Sequence, residues 1–416
     1  MKKSNLIGLM LVAGMALVGC SNETVDKTDD TEKVQIKLWV GEDAYSEAIV
    51  PAIEEALPHI DIVHEHLEIG ESADKLALDG PAGIGGDVVF HTQESMAKAF
   101  QSNVLLPLGD DLSGYVKDNM IEPSLRAVTS EETLYGVPMS VEALGLFYNK
   151  TLLEENGFEI ASTFEELIED ANSYNDPNNG KYLMRFEPGN TYTAYMFLTA
   201  AGFELFGPDG TDKDSVNLNT PEVVQGLTYL KQLQEILEVP AIDLNYDTVH
   251  GEFVKGTVGY MLGGPWQIEE AEKASKELGF EWGVMPLPTI DGKQPKPFLG
   301  NIVATVSAYT EHPEEAREVL EFVTSEEGLQ IMYDTQGKLP ALKDLTQIDG
   351  VTEDPYLMGI SEQCNMAISM PMLKELNYVY EAADVMVQSV WDGLATPEEA
   401  AEKAFNDYTQ ALKLTE

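Results

Sequence analysis

The sequence predicts an α/β protein, because short buried strands alternate with amphipathic helices along the body of the chain. The body opens with "VQIKLWV", where Val34, Ile36 and Leu38 alternate with polar residues, as in a strand with one buried face. A helical pattern follows from Ser46 to Leu57. "IDIVHEHLEI" alternates again, and "GGDVVF" predicts a short buried strand after a glycine turn. This β–α–β–α order favours parallel or mixed sheets.

Several later helices are marked by their first residues. Thr163 with Glu166, and Thr396 with Glu399, have the spacing of a capping box before an apolar periodic run. The segment Thr220-Pro221-Glu222 predicts another helix that opens in the same manner. "HPEEAREVLEFVTSEEGLQIM" and "PEEAAEKAFNDYTQALK" are amphipathic too. Long helices therefore accompany the strands throughout.

The N-terminal residues predict secretion. Residues 1–19 carry Lys2 and Lys3 before a short apolar run, which is the pattern of a signal peptide and is short for a bilayer span. The run ends in Leu-Val-Gly-Cys20, which resembles the lipobox of bacterial lipoproteins, where the cysteine sulfur carries a diacylglycerol. The resemblance implies lipidation of Cys20 and a cell-surface protein anchored to the outer face of the cytoplasmic membrane; an uncleaved hydrophobic anchor is the alternative. In residues 20–33 only Val25 is apolar after the cysteine, so we expect a flexible tether.

Composition excludes several classes of partner. The net charge of −47, made more negative by removal of two lysines with the signal, disfavours nucleic acid and acidic lipid. Cys364 is the one other cysteine, so no disulfide is expected within the folded body. A hydrophobic content of 44% over roughly 380 body residues is ample for two domains.

The sequence gives weak signals for metal, phosphate or nucleophilic chemistry. "GPAGIGGD" lacks the Lys and Ser or Thr of a phosphate loop and indicates a glycine turn. His64 and His66 share one face of a predicted strand, but no third ligand accompanies them, which favours solvent-facing histidines. No Gly-x-Ser-x-Gly elbow is present, and no histidine lies near Cys364 in sequence. We expect no cofactor, no metal site and no catalytic residue.

One carboxylate stands in an apolar setting. "SVEALGLFYNK" predicts a buried strand between Pro138 and Asn149, and it contains Glu142. Burial of an unpaired carboxylate is costly, so Glu142 should face a cleft, accept hydrogen bonds or be protonated. It is therefore either a catalytic acid or an acceptor for a polar ligand.

Aromatic residues beside turn glycines point to carbohydrate. They occur in "GGPWQ", "EPGNTYTAYMF" and "MPMLKELNYVYEAADVM". A ring with an apolar face and a polar tip suits a sugar, whose C–H faces stack on aromatics while its hydroxyls need directed hydrogen bonds. The alternative is that these are ordinary core aromatics.

Four motifs in register resemble the maltose/maltodextrin-binding proteins, the solute-binding subunits of ATP-binding-cassette importers. They are "YGVPMSVEALGLFYNKTLLE", "FVKGTVGYMLGGPWQI", "WGVMPLPTIDGKQPKPFLG" and "MPMLKELNYVYEAADVM". The resemblance implies a two-lobed, periplasmic-binding-protein-like fold of type II with the ligand in a cleft between hinged lobes. It implies crossings near Met139 to Leu144, near Gly300 to Ala304 and around Asp349 to Asp354. The implied lobes are 34–141 plus 303–350, and 142–302 plus 351–416.

Carried over by position, the resemblance also implies a set of sugar-binding residues. They are Asp43, Glu94, Glu142, Glu187, Tyr192, Tyr246, Trp266 and Tyr380. The alignment needs a gap near Asp43, so Glu42 is the alternative there. Departures from the family occur at His91, Ala44 and Ser95, where the best-known members have tryptophan, lysine and arginine; these departures weaken one side of the implied cleft.

The implied function is high-affinity binding of maltose or maltodextrins outside the cell and delivery to the membrane permease of the importer, by a monomer without enzymatic activity. Another α- or β-linked oligosaccharide is the first alternative. A secreted glycoside hydrolase is the rival class, since it also needs aromatics and two carboxylates, for which Glu94, Glu142 and Glu187 are candidates.

Overall fold

The structure is a computed structural model that describes residues 33–208 and 210–415. The predicted signal peptide, Cys20 and the tether up to residue 32 lie outside the described residues. Within the described part of the chain, no helix is long and apolar enough to cross a membrane.

The chain forms twelve strands in the described ranges. Their bounds in chain order are β1 Val34–Val40, β2 Ile60–His66, β3 Val88–Thr92, β4 Thr129–Ser130, β5 Thr133–Leu134, β6 Gly136–Glu142, β7 Gly145–Asn149, β8 Met184–Arg185, β9 Tyr260–Gly263, β10 Trp282–Met285, β11 Phe298–Val306 and β12 Ile368–Ser369.

Sixteen α-helices alternate with these strands over the same ranges. They are α1 Asp43–Ala56, α2 Ser72–Asp79, α3 Gln93–Ser102, α4 Asp110–Asn119, α5 Glu122–Leu125, α6 Lys150–Asn156, α7 Phe164–Tyr174, α8 Thr191–Ala200, α9 Pro221–Leu237, α10 Tyr246–Val254, α11 Ile268–Leu278, α12 Pro313–Val323, α13 Glu326–Gln336, α14 Pro355–Met366, α15 Leu376–Trp391 and α16 Pro397–Thr415.

The first lobe is built on a six-stranded mixed sheet. β1 pairs in parallel with β2 and β3, while β11 runs antiparallel to β3 on one side and to β6 on the other. β12 pairs in parallel with the start of β11. The interior strand β1 buries Ile36, Leu38 and Trp39 fully, which is typical of a strand covered on both faces. β2 lies at the sheet edge, where His66 is exposed and His64 half-buried.

The second lobe is built on a four-stranded sheet in the order β10-β7-β9-β8. β7 is antiparallel to both of its neighbours, and β8 pairs in parallel with β9. Helix α14 packs against β10, where the rings of Trp282 and Tyr356 stack with centroids 3.9 Å apart. Helices α8, α9, α15 and α16 pack on one another beside this sheet. The α/β fold class is therefore present in both lobes.

Three segments connect the lobes, and in addition β12, which falls inside the range 351–416 predicted for the second lobe, returns to pair with β11 in the first sheet. The chain passes from β6 to β7 at residues 143–144, from β10 to β11 at 286–297, and from α13 to α14 at 337–354. The boundary predicted at 302/303 falls inside β11, and all of β11 pairs within the first sheet. We therefore propose 286–297 as this boundary, since hydrogen bonding keeps a strand in one sheet along its length.

Local signals predicted several element ends well and others poorly. The Thr163 capping box forms, with Thr163 Oγ1 accepting from Glu166 N–H at 3.1 Å. Helix α9 begins at Pro221 as predicted, but the Thr220 side chain makes no capping bond. The single strand predicted around Glu142 is wrong: it is two strands in different sheets, β6 and β7.

Glycine at position 300 creates room where β6 ends. Gly300 lies opposite Glu142 in the β6–β11 pairing. A Cβ atom on residue 300 would lie 2.8 Å from Glu142 Cγ and 3.0 Å from its Oε1. The Glu142 side chain can therefore lie across β11 only because residue 300 has no side chain.

Replacing Gly300 by alanine should lower the free energy of unfolding by about 1–3 kcal/mol, because the new methyl group overlaps Glu142. Urea denaturation measures this change. Adding Glu142→Ala to the same chain should restore most of the loss, since it removes the overlapping atoms. Gly70→Ala, where an added Cβ meets nothing within 4 Å, is the matched control. Equal effects at both glycines would contradict the steric account.

Candidate functional site

Glu142 ends β6 at the point where the chain leaves the first lobe. Its side chain is half-buried, and this burial raises the pKa of the Glu142 carboxyl. The positive charge of Lys338 opposes the shift, while the negative charge of Glu94 adds to it. A carboxylate in this setting needs hydrogen-bond donors to remain ionised.

Three further predicted residues lie around Glu142. Glu94 is exposed in the first turn of α3, Tyr192 is the second residue of α8, and Tyr380 lies in α15. Burial raises the pKa of Tyr192, and the charges of Glu142 and Glu94 and the neighbouring Tyr380 raise it further. These four residues, which we call the inter-lobe cluster, come from both lobes and lie within electrostatic reach of one another.

Phe298, which the sequence analysis did not single out, supports the tyrosines of this cluster. It is buried at the start of β11, and Tyr195 stacks on it with centroids 4.1 Å apart and planes 12° apart. Tyr192 and Tyr380 each lie 6.4 Å from the same ring. Aromatic pairs at these separations are favourable. Phe298 thus joins the first sheet to two helices of the second lobe.

The turn before α8 fixes the direction of Tyr192. The Asn190 side chain caps the helix by accepting from Tyr192 N–H at 2.9 Å, and Asp384 Oδ1 on α15 accepts from Thr191 N–H at 2.8 Å. The hydroxyl of Thr193 donates to the carbonyl of Glu187. Helices α8 and α15 therefore hold Tyr192 and Tyr380 as one unit.

Glu187 and Tyr246 form a second contact within the second lobe. Burial raises the pKa of Glu187, and the backbone N–H of Tyr246, at the first residue of α10, opposes the shift by hydrogen bonding to the carboxylate. Tyr246 is 41% exposed and stacks on His250, whose Nε2 lies 2.7 Å from Glu270 Oε2. This leaves one face of a phenol ring accessible beside a carboxylate.

Trp266 presents an accessible indole ring. It is 46% exposed in the short turn after β9, and a Cβ on Gly264 would lie 2.2 Å from the ring. The indole therefore lies directly against the Gly264 backbone, which explains why glycine precedes Pro265. One indole face is packed and the other remains available for stacking.

Asp43 and Glu42 already have partners on the first lobe. His66 Nδ1 lies 2.8 Å from Asp43 Oδ1, and Lys338 Nζ lies 3.1 Å from Glu42 Oε1. Both carboxylates are exposed just after β1. These pairings were not predicted, since His66 is distant from Asp43 along the chain and Lys338 is distant from Glu42.

His91 and Ser95 lie inside the first lobe rather than on its surface. His91 is fully buried, with Nδ1 2.6 Å from Ser72 Oγ and Nε2 3.0 Å from Thr305 Oγ1. Ser95 Oγ lies 3.0 Å from the same Ser72 hydroxyl. The His91 side chain therefore completes a buried polar network, and the expectation that the departures at His91, Ala44 and Ser95 weaken one side of the cleft stays a prediction.

The arrangement suits a neutral, hydroxyl-rich ligand. Carboxylates supply charge-assisted acceptors, and accessible or half-buried aromatic rings supply stacking faces on the second lobe. In the described ranges no group of three or more His, Cys, Asp or Glu side chains is placed to hold a metal ion. Cys364 is buried close to Glu142, and burial raises the pKa of its thiol, which disfavours the reactive thiolate.

The match of the sequence to a known family decides the identification. Residues 48–359 match the family described as bacterial extracellular solute-binding protein. The chain belongs to this family. Its fold is that of the two-lobed periplasmic binding proteins.

Known proteins share nearly the whole chain. A galactooligosaccharide-binding protein of Bacillus subtilis is 24% identical over 97% of this chain and 96% of its own. A maltooligosaccharide ABC transporter solute-binding lipoprotein of Streptococcus pneumoniae is 23% identical over 100% and 97%. The crystal structure of a cyclo/maltodextrin-binding protein complexed with maltotetraose has a TM-score of 0.83 at 29% identity, covering 92% of this chain and 98% of that one.

Burial of His91 should make the solute-binding protein less stable in acid. Burial lowers the pKa of His91 to about 3, so below pH 6.5 the unfolded chain takes up a proton that the folded chain does not. Stability should therefore fall by about 1.4 kcal/mol per pH unit between pH 6 and 4 through this residue. Chemical denaturation across this range should give a steeper pH dependence for the wild type than for His91→Gln. Parallel curves would contradict the assignment; the exposed His59→Gln is the control.

Proposed function

We propose that this solute-binding protein binds maltose and maltodextrins, the α-1,4-linked gluco-oligosaccharides, outside the cell. The observation that carries the proposal is the inter-lobe cluster, in which Glu94 and Glu142 of the first lobe face Tyr192 and Tyr380 of the second. A sugar between them would donate hydroxyl hydrogens to the carboxylates and stack on the rings. The similarity to the complex with maltotetraose supports this sugar class.

The remaining predicted residues would extend the site along an oligosaccharide. Glu187, Tyr246 and Trp266 would contact further sugar rings from the second lobe, and Asp43 would accept hydroxyls from the first. Because Asp43 is paired with His66, a sugar hydroxyl there has to share or displace that partner. A wrong epimer would leave a half-buried carboxylate unsatisfied, which is the source of selectivity.

A β- or α-linked galacto-oligosaccharide is the second candidate. The similarity to a galactooligosaccharide-binding protein over 97% of this chain favours it, at an identity close to that of the maltooligosaccharide-binding relative. The two candidates differ in the hydroxyl configuration at C4. A glycan panel read by thermal shift separates them, since a ligand that binds only the folded protein raises the melting temperature.

The two-lobed fold supports a role in delivery of the ligand to a membrane permease. Three crossing segments permit the lobes to close around a sugar, and a ligand that contacts both lobes favours the closed state. We propose that the closed protein, as a monomer, docks on the permease of an ABC importer.

A diacylglyceryl group on Cys20 would keep the protein at the cell surface. Cys20→Ala should therefore release the protein from membranes into the medium.

Binding without turnover separates this proposal from a glycoside hydrolase. A hydrolase needs two carboxyl groups flanking one glycosidic bond, one of them protonated. Incubation with maltotetraose or a galacto-oligosaccharide, followed by an assay for new reducing ends, tests the rival directly. New reducing ends would overturn the proposal that the protein is not an enzyme.

Trp266→Ala should weaken maltotriose binding more than tenfold, because the loss of a stacking ring costs about 1.5 kcal/mol or more. Isothermal titration calorimetry measures the dissociation constant. Leu394→Ala, which truncates a more exposed apolar side chain in the second lobe, is the control and should bind as the wild type does. Unchanged affinity in Trp266→Ala would remove this ring from the site.

Glu142→Gln should retain the fold and lose at least tenfold in affinity at pH 7, because an amide accepts hydroxyl hydrogens more weakly than a carboxylate. Circular dichroism and urea denaturation check the fold, and calorimetry measures the affinity. A variant that binds normally would contradict the role of Glu142 as the central acceptor.

A further inference from the structure

Residue 338 lies opposite Glu142 on an adjoining segment of backbone, although the two are far apart in sequence. The segment 339–341 runs antiparallel along β6: Val141 N–H donates to Leu339 O at 2.9 Å, and Ala341 N–H donates to Met139 O at 3.1 Å. Ser140 forms a bridge with Pro340. This register places residue 338 opposite Glu142, on the side away from Gly300.

The surroundings of Lys338 are acidic. Its Nζ contacts Glu42 Oε1 at 3.1 Å, and its side chain is 26% exposed. The charge of Lys338 also acts on the Glu142 carboxyl, as does the charge of Glu94. Lys338 is thus a partly buried cation that pairs with Glu42 and lies within electrostatic reach of Glu142, at the edge of the inter-lobe cluster.

The groups that face Glu142 come from five places in the fold. They are Glu94 on α3, Tyr192 on α8, Cys364 on α14, the backbone of Gly300 on β11, and Lys338. Lys338 is the one cation that acts on the Glu142 carboxyl from within the described residues. Burial and the charge of Glu94 both raise the pKa of Glu142, and in the absence of a ligand the charge of Lys338 opposes this rise.

We propose that Lys338 is a positioning residue of the sugar site, which keeps Glu142 ionised and ready to accept a hydroxyl hydrogen. This proposal rests on the proposed function, because it assumes that the ligand of Glu142 is a sugar. Lys338 also holds Glu42 on the same wall, so the cation links β6 to the turn after β1.

Three variants of the full-length protein test the proposal by calorimetry with maltotriose between pH 5 and 8. In Lys338→Met the acid limb of the affinity profile should move up by about one pH unit, giving roughly tenfold weaker binding near pH 5.5 and recovery towards pH 8. Lys338→Arg should restore the wild-type profile. Lys403→Met, which removes an equal charge from a surface pair with Asp407, should leave the profile unchanged.

A purely structural role predicts a different result. It would weaken binding by the same factor at every pH, and that outcome, or a profile identical to the wild type, would overturn the proposal.

A sugar-free measurement separates this inference from the proposed function. Titration of ¹³C-labelled glutamate carboxyls by NMR, with Glu142 assigned from Glu142→Gln, should show the Glu142 pKa higher in Lys338→Met than in the wild type. We expect this pKa shift whether or not a sugar binds. If neither maltotriose nor a galacto-oligosaccharide binds, the proposed function is wrong, but the effect of Lys338 on Glu142 is still tested. An unchanged Glu142 titration would overturn the role of Lys338.

Discussion

The structure depends on the close approach of β6 and β11 where Glu142 crosses Gly300. At this point the chain leaves the first sheet, and two residues later it enters the second as β7. A Cβ atom added at residue 300 would lie 2.8 Å from Glu142 Cγ. The pairing of β6 with β11 therefore determines the position of the Glu142 side chain as well as that of the strand. Glu142 therefore lies at the start of the segment that connects the two lobes, next to residues 143–144.

Charge explains why the site suits neutral ligands. The chain carries a net charge of −47, and the inter-lobe cluster contains two of its carboxylates: Glu94, which is exposed, and Glu142, which is half-buried and whose pKa burial raises. An anionic sugar would meet this field unfavourably, whereas a neutral sugar can donate hydroxyl hydrogens to it. The aromatic rings of the second lobe supply apolar contact beside the carboxylates of both lobes. A ligand that contacts both lobes favours closure.

Much of this could be predicted because the signals are local. Alternation along β1, the capping boxes at Thr163 and Thr396, and one glutamate in an apolar run depend on neighbours within a few residues. The family resemblance led to the four residues of the inter-lobe cluster. Lys338 and Phe298 escaped notice because their roles come from pairings across long stretches of chain, which periodicity does not reveal. The burial of His91 was not predicted for a related reason: its partners Ser72 and Thr305 come from other elements of the first lobe.

The central claim is that a sugar binds between the lobes with Glu142 as its acceptor. A crystal structure of this protein grown with maltotetraose, and with a galacto-oligosaccharide in parallel, tests it most directly. The account predicts a sugar ring with a hydroxyl oxygen within about 2.5–3.0 Å of a Glu142 carboxylate oxygen, and aromatic contact from Tyr192 or Tyr380. A bound sugar that leaves Glu142 without a hydroxyl partner, or that lies on one lobe alone, would contradict it.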